Sequence, residues 1–148
     1  MKNKVIPATT IVFNNKEEIL LTQRNYKDDP ANRYHGAWGF PGGAIEENEQ
    51  PLEAAIRETL EETGIKIDII SDRPIVMSCI EATGNHVIKL AYISKYRSGK
   101  INTSRDSGTS DAKWFSLEEI NKLNTTPLTK EMSKKALELL NENLKFKI

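Results

Sequence analysis

"GGAIEENEQPLEAAIRETLEETGI", Gly42 to Ile65, is the stretch whose reading decides the fold. Its second half is a run of helix formers. The run opens at Pro51, suited to the first helical position, and closes at Gly64, a natural C-terminal stop. Gln50 would be the N-cap, a poor one, with Glu53 placed three residues on to bond back to it. The last turn holds Glu58, Glu61 and Glu62. A helix C-terminus carries partial negative charge, and like charges four apart cost a few tenths of a kcal/mol, so the acid stands where a helix least wants it. At about 100° per residue, Leu52, Ala55, Ile56, Thr59, Leu60 and Thr63 share one side, the expected core face. Glu58, Glu61 and Glu62 fall together on the other. A solvated acidic face is the plain reading of such a helix. The conflict with two local rules points instead to a functional site. Three carboxylates on adjacent turns can also supply the hard oxygen donors that Mg²⁺ or Mn²⁺ requires.

Working outward, residues 5–13 (VIPATTIVF) are β-branched and read as a strand, turned at Asn14-Asn15-Lys16 into a returning strand over 18–24 (EILLTQR). The polar segment 25–37 is a loop, long enough within a compact domain to suggest function. WGFPGG (38–43) reads as a short strand closing on a tight turn. Beyond the helix, strands are expected at 66–70, 75–82, 86–96 and 112–115, with a polar loop over 98–110. A short helix over 116–123 is capped by Ser116, and a last helix runs from Pro127 to about Lys145. Strands separated by a few helices suggest an α+β fold around a mixed sheet.

The bulk numbers narrow the function. A chain of 148 residues is one domain, 1–148, with room for a real core. Its 21 basic and 21 acidic residues cancel, which argues against a general electrostatic grip on nucleic acid or anionic membrane. A local basic patch would have to come from Lys134, Lys135, Lys145 and Lys147. The single cysteine, Cys79, lies in an apolar run and is expected as a small core residue in a reducing compartment. No signal-peptide pattern opens the chain and no apolar run reaches membrane-spanning length, so a cytoplasmic setting is the expectation.

The box itself carries a resemblance. Gly43, then Glu49, then Arg57-Glu58 and Glu61-Glu62, ending on Gly64-Ile65, have the spacing of the signature of the Nudix hydrolases. One position departs: Thr59 stands where the family usually has a bulky aliphatic residue, a change expected to cost packing rather than chemistry. EILLTQR, GAWGFPGG and AKWFSLEEI are also similar to family members. The resemblance implies the family's α/β/α sandwich, with a mixed sheet between the box helix and the C-terminal helix. It implies a hydrolase that cleaves the pyrophosphate of a nucleoside diphosphate derivative with Mg²⁺ or Mn²⁺ as cofactor.

By the same resemblance, Glu58, Glu61 and Glu62 hold metal, with the Gly43 carbonyl, and Glu58 is the first choice of general base. Arg57 anchors the loop before the helix, with Glu49 or Glu53 as partner. Gly42 and Gly43 let the backbone approach metal or phosphate closely. Asp111 is placed near where some relatives carry a further acidic ligand, or else it merely solvates its loop. Arg24 is a phosphate contact or a rim ion pair. Tyr34 and Trp38 are candidates to stack on a base, Phe40 less so, and Trp114 reads as core. No proline follows the box as in the ADP-ribose pyrophosphatases, the NADH diphosphatase array is missing, and the arginine spacing of the coenzyme A group is not met. The expected substrate is a small nucleotide, first a (deoxy)nucleoside triphosphate. ADP-ribose or a nucleotide sugar is the alternative, with the 98–110 loop forming its pocket or a homodimer contact. A nucleotide-sensing module without catalysis is the third reading.

Overall fold

The computed structural model describes residues 3–146, and side chains up to residue 142. Lys147, and the side chain of Lys145, from the basic patch considered above, lie outside what is described. The chain runs through nine strands and three helices in the order β1 (Lys4–Val5), β2 (Ala8–Phe13), β3 (Ile19–Arg24), β4 (Trp38–Gly39), β5 (Gly42–Gly43), α1 (Pro51–Thr63), β6 (Lys66–Ile69), β7 (Ile75–Ile80), β8 (His86–Ser98), β9 (Thr109–Phe115), α2 (Leu117–Asn121) and α3 (Thr129–Phe146). The strand expected over 5–13 is two strands, because Pro7 offers no N–H to the ladder. The 98–110 loop is shorter than expected, since β9 already begins at Thr109.

β8 is the spine. It pairs in parallel with β1 and β2 along one edge, and antiparallel with β7 and β6 along the other. β2 and β3 form the expected hairpin, but they meet only at Phe13 and Ile19 and then splay. The segment 38–43 fills the gap between them. Its first half pairs with β3 (Gln23 with Trp38) and its second with β2 (Ala8 with Gly43), while Thr10 donates its N–H to the Pro41 carbonyl at 3.0 Å. β3 continues the sheet to β9 on its other edge.

Helices cover both faces. On one, Ala54 and Ala55 of α1 pack with Ala8, Leu90 and Tyr92. On the other, Ile120, Met132 and Ala136 of α2 and α3 pack with Ile11, Phe13, Leu21, Phe40 and Ile93. The result is the expected three-layer sandwich around a mixed sheet. α1 begins and ends where its sequence says, with Pro51 at its start and Gly64 in the left-handed region, donating its N–H to the Leu60 carbonyl at 2.9 Å. Gln50 caps it without a side-chain bond, so the expected bond back from Glu53 does not form.

The faces of α1 are turned from the expected ones. Glu62 is 4% exposed, whereas Ile56 and Leu60 are each 39% exposed. The small side chains Ala54 and Ala55 let the helix lie close to β2, and that contact sets its rotation. Cys79, expected in the core, is only half-buried, because β7 is an edge strand whose alternate residues face out.

Candidate active site

The double glycine is built for close approach. A side chain at Gly42 would meet the Ala8 carbonyl at 2.3 Å, and its φ of +149° lies outside what other residues readily adopt. At Gly43 the added carbon would come within 3.3 Å of the Glu58 carboxylate. The turn therefore lies directly against the end of α1.

The box carboxylates fall into three environments. Glu62 is buried; its Oε2 accepts the Gly42 N–H at 3.2 Å and lies 3.9 Å from the Arg24 guanidinium. Burial above all pushes its carboxyl up to about 8, against the pull of Arg24 and Gly42, while Glu58 and Asp106 push it further. Glu58 is partly exposed and Glu61 more so, and both accept from Arg57 at 3.1 Å.

Arg57 organises the loop ahead of the helix. Its Nε and one terminal nitrogen grip Glu49 in a two-pronged pair at 2.7 and 3.0 Å, and it also reaches the Ala44 carbonyl at 3.5 Å. Glu49 returns a bond to the Glu46 N–H at 3.0 Å. The pair holds the Glu49 carboxyl down at about 2, mainly through the Arg57 hydrogen bond. Glu53 takes no part among the described contacts. The misplaced acid at the helix end is thus offset by Arg57 and Arg24, while the Thr63 carbonyl accepts the Asn102 N–H at 2.8 Å.

Among the described residues no three His, Cys, Asp or Glu side chains converge as a closed metal cage. Arg57 lies among Glu58 and Glu61, a cation in contact with both. The donor set nonetheless fits a hard divalent cation. All of its side-chain donors are oxygen, one carboxylate is buried with too little positive charge beside it, and the missing Cβ at Gly43 leaves room against Glu58.

On the opposite face of the sheet from α1, a cavity of about 320 Å³ runs up to Gly42 and Gly43. Arg24, Tyr26, Tyr34, Lys89 and Thr126 are among its walls. A larger cavity of about 590 Å³ adjoins it, sharing Tyr34, Glu81, Thr126 and Pro127 and reaching Cys79. The larger one does not touch the double glycine, so the smaller is the one that reaches the turn against which Glu58 and Glu62 lie.

The residues singled out in the sequence divide accordingly. Glu58, Glu61, Glu62, Arg57, Gly42, Gly43 and Arg24 come together, and Tyr34 lines both cavities. Arg24 ties β3 to the inserted segment, donating to the Phe40 carbonyl at 2.7 Å and the Thr22 hydroxyl at 3.1 Å. Trp38 is not brought to the cleft. Its ring packs edge-on against Phe115 at 4.9 Å, and its backbone holds the segment 124–126. Asp111 is not brought there either. It pairs across the ladder with Gln23, bonds its neighbour's N–H at 2.8 Å and lies 3.6 Å from Lys113. The nearby acid from that part of the chain is Asp106, fixed by Gly108 and Thr109.

Tyr26 and Lys89 are among the cleft residues that escaped the sequence reading. Tyr26 left no signal, being one more residue of a polar loop. Lys89 did leave one, as a lone charge inside the apolar run HVIKLAYI.

Comparison with known proteins agrees with this fold. The chain is 28% identical over 116 residues to 8-oxo-dGDP phosphatase NUDT18 of Danio rerio, covering 77% of this chain and 33% of that protein. It is 29% identical over 119 residues to an ADP-ribose pyrophosphatase of Methanocaldococcus jannaschii, covering 79% and 66%. Among solved structures, the MutT protein of Methanosarcina mazei Go1 superposes with a TM-score of 0.72 at 26% identity, covering 96% of each chain. The chain spans about a third of the length of the first curated relatives it matches. Residues 4–136, well over half of the chain, match the family model described as the NUDIX domain, and the chain belongs to that family.

Proposed function

We propose that this chain hydrolyses the pyrophosphate bond of a nucleoside diphosphate derivative, first a (deoxy)nucleoside triphosphate, and releases a nucleoside monophosphate. One observation supports the reading: the buried Glu62 accepts from Gly42 and faces Arg24, and Gly42 and Arg24 are walls of a cleft of nucleoside size. Glu58, Glu61, Glu62 and the Gly43 carbonyl would hold Mg²⁺ or Mn²⁺. The chemistry such a cation supplies is neutralisation of the phosphates and a lower pKa for an attacking water. Arg24 offers its charge to a phosphate at the cavity wall. Gly42 and Gly43 admit the phosphate chain close to the backbone. Glu58 takes the proton from the attacking water, and Arg57 keeps it in position. Tyr34 offers its ring to a base. Asp111 has no part in this mechanism.

The names of two relatives, an 8-oxo-dGDP phosphatase and an ADP-ribose pyrophosphatase, support the class of substrate without ranking its members. The adjoining larger cavity favours ADP-ribose or a nucleotide sugar as a second reading, since it offers space beyond one nucleoside. Purified protein with Mg²⁺, then Mn²⁺, tests both against nucleoside triphosphates, oxidised forms, ADP-ribose and nucleotide sugars. Metal-dependent release of a monophosphate from one compound, lost by orders of magnitude in Glu61→Gln and Glu62→Gln, is expected. Full activity in both variants would refute the site. Tight nucleotide binding without cleavage would make the chain a sensor.

A further inference from the structure

Among the described residues Lys89 is a buried amine with no carboxylate at ion-pair distance, although the charges of Glu131 and Glu81 act on it from further off. It is 6% exposed, and Lys89 is the single inward charge on β8 between Val87 and Ala91, both buried. Its Nζ donates to the Pro127 carbonyl and lies 5.6 Å from the centre of the Phe40 ring. An ammonium carries three N–H donors, and leaving such donors unmade in a dry interior is costly. One donor goes to Pro127 and the aromatic face takes part of the charge. Burial, and next the charge of Arg24, bring the amine down to about 7, the sign of a cation short of acceptors.

The remaining donors face the cavity that ends at Gly42 and Gly43, because Lys89 is one of its walls. Lys89 alternates with Leu90, which packs with α1, so it lies on the sheet face away from the carboxylates. The part of a ligand that meets Lys89 is therefore not the part held at the carboxylates. Besides Arg24 and the glycines, the cavity's walls include Tyr26, Tyr34, Val5, Val87 and Pro127, surfaces that suit a flat heterocycle, and the carboxylate Glu81, which opposes a phosphate there.

The geometry points to Lys89 as the residue that reads the nucleobase, donating to an exocyclic carbonyl oxygen and so selecting keto bases over adenine. This rests on the nucleotide reading above. In its ammonium form, below about pH 7, Lys89 donates but does not accept, so it pairs with the C6 oxygen of hypoxanthine or guanine and opposes the C6 amino group of adenine. A hydrogen bond to a charged group contributes about 1.5–3 kcal/mol, a factor of roughly ten to a hundred.

Inosine and adenosine nucleotides differ in this pair as oxygen against amino group at C6, which makes them the probes. Binding of inosine and adenosine monophosphate is measured by calorimetry without metal, and kcat and KM for the triphosphates with Mg²⁺. The wild type is expected to favour inosine at least about tenfold in both, through Kd and KM rather than kcat. Lys89→Met should bring inosine down to the adenosine level with kcat kept. Lys89→Gln, which can also accept, should raise adenosine binding. Equal binding of the two monophosphates by the wild type would overturn the inference, as would a preference that survives in folded Lys89→Met. A Lys89-dependent preference in binding without any cleavage would uphold it while removing the hydrolase reading. Cleavage with no preference would do the reverse.

Discussion

Thr59, the one departure from the family's box, is predicted to be held in place by Thr10, and a double-mutant cycle can measure it. Both side chains are fully buried, and their hydroxyl oxygens are 2.7 Å apart. Thr59 also donates to the Ala55 carbonyl at 2.7 Å, which uses its own proton. The proton between the two threonines is therefore Thr10's. Thr59→Val strands a buried donor and should cost about 1–3 kcal/mol. Thr10→Val removes a donor but leaves the Thr59–Ala55 bond intact, so about 0.5–1.5 kcal/mol is expected. Replacing both with valine keeps shape and leaves no unpaired hydroxyl, which should be nearly neutral or stabilising. The coupling energy should then be about 1.5–4.5 kcal/mol. Urea denaturation of the four proteins measures it, and thermal midpoints should follow at roughly 3 °C per kcal/mol for a chain of this size. If the double variant loses the sum of the two single losses, the pair is not a unit and the argument fails.

Three further outcomes follow from the site. Gly42→Ala puts a methyl group 2.3 Å from a backbone oxygen, so it should cost more than about 3 kcal/mol and abolish turnover, whereas Gly43→Ala meets only the movable Glu58 and should lose activity with little stability; denaturation curves beside turnover separate the two. Glu49, with its pKa lowered from 4.5 to about 2, stabilises the fold above pH 4.5, and this is lost as pH falls toward 2 because the folded state must then take up its proton last. Thermal midpoints of wild type and Glu49→Gln against pH should converge over that window, and parallel curves would contradict it. Lys89 is shifted the other way for a base, from 10.5 to about 7, so between those values the unfolded chain binds the extra proton and stability rises with pH. Relative to Lys89→Met, the wild type should gain about 1.4 kcal/mol per pH unit there by chemical denaturation, and a flat difference would count against its burial as an amine.

Much of the fold could be read from local chemistry. Pro51 and Gly64 mark the ends of α1 because backbone restriction at those residue types is a property of the residues themselves. Ser116 likewise caps α2, with Glu119 completing the reciprocal pair of bonds. The hairpin of β2 and β3 followed from two apolar runs around Asn14-Asn15-Lys16. The rotation of α1 did not follow. A wheel ranks side chains by polarity and so turned Ile56 and Leu60 inward, but close packing of Ala54 and Ala55 on β2 brought Glu62 inward instead. The sequence leaves Asp111 open between a further ligand and a residue that merely solvates its loop, and strand pairing with Gln23 and the irregular register after that residue decide which way it lies.

What the sequence determined by itself was the donor set and its order: three carboxylates, a double glycine and an arginine at box spacing, on a helix with defined ends. Those depend on residues near one another along the chain. Tertiary structure alone decided which carboxylate is buried, which acid of the following loop acts on it, and that Lys89 faces the cleft. Each of these hangs on how β2 and β3 splay around the segment 38–43 and on how β8 is registered against β2. Such pairings join residues far apart in the chain, and their side-chain environments exist only once the sheet has closed.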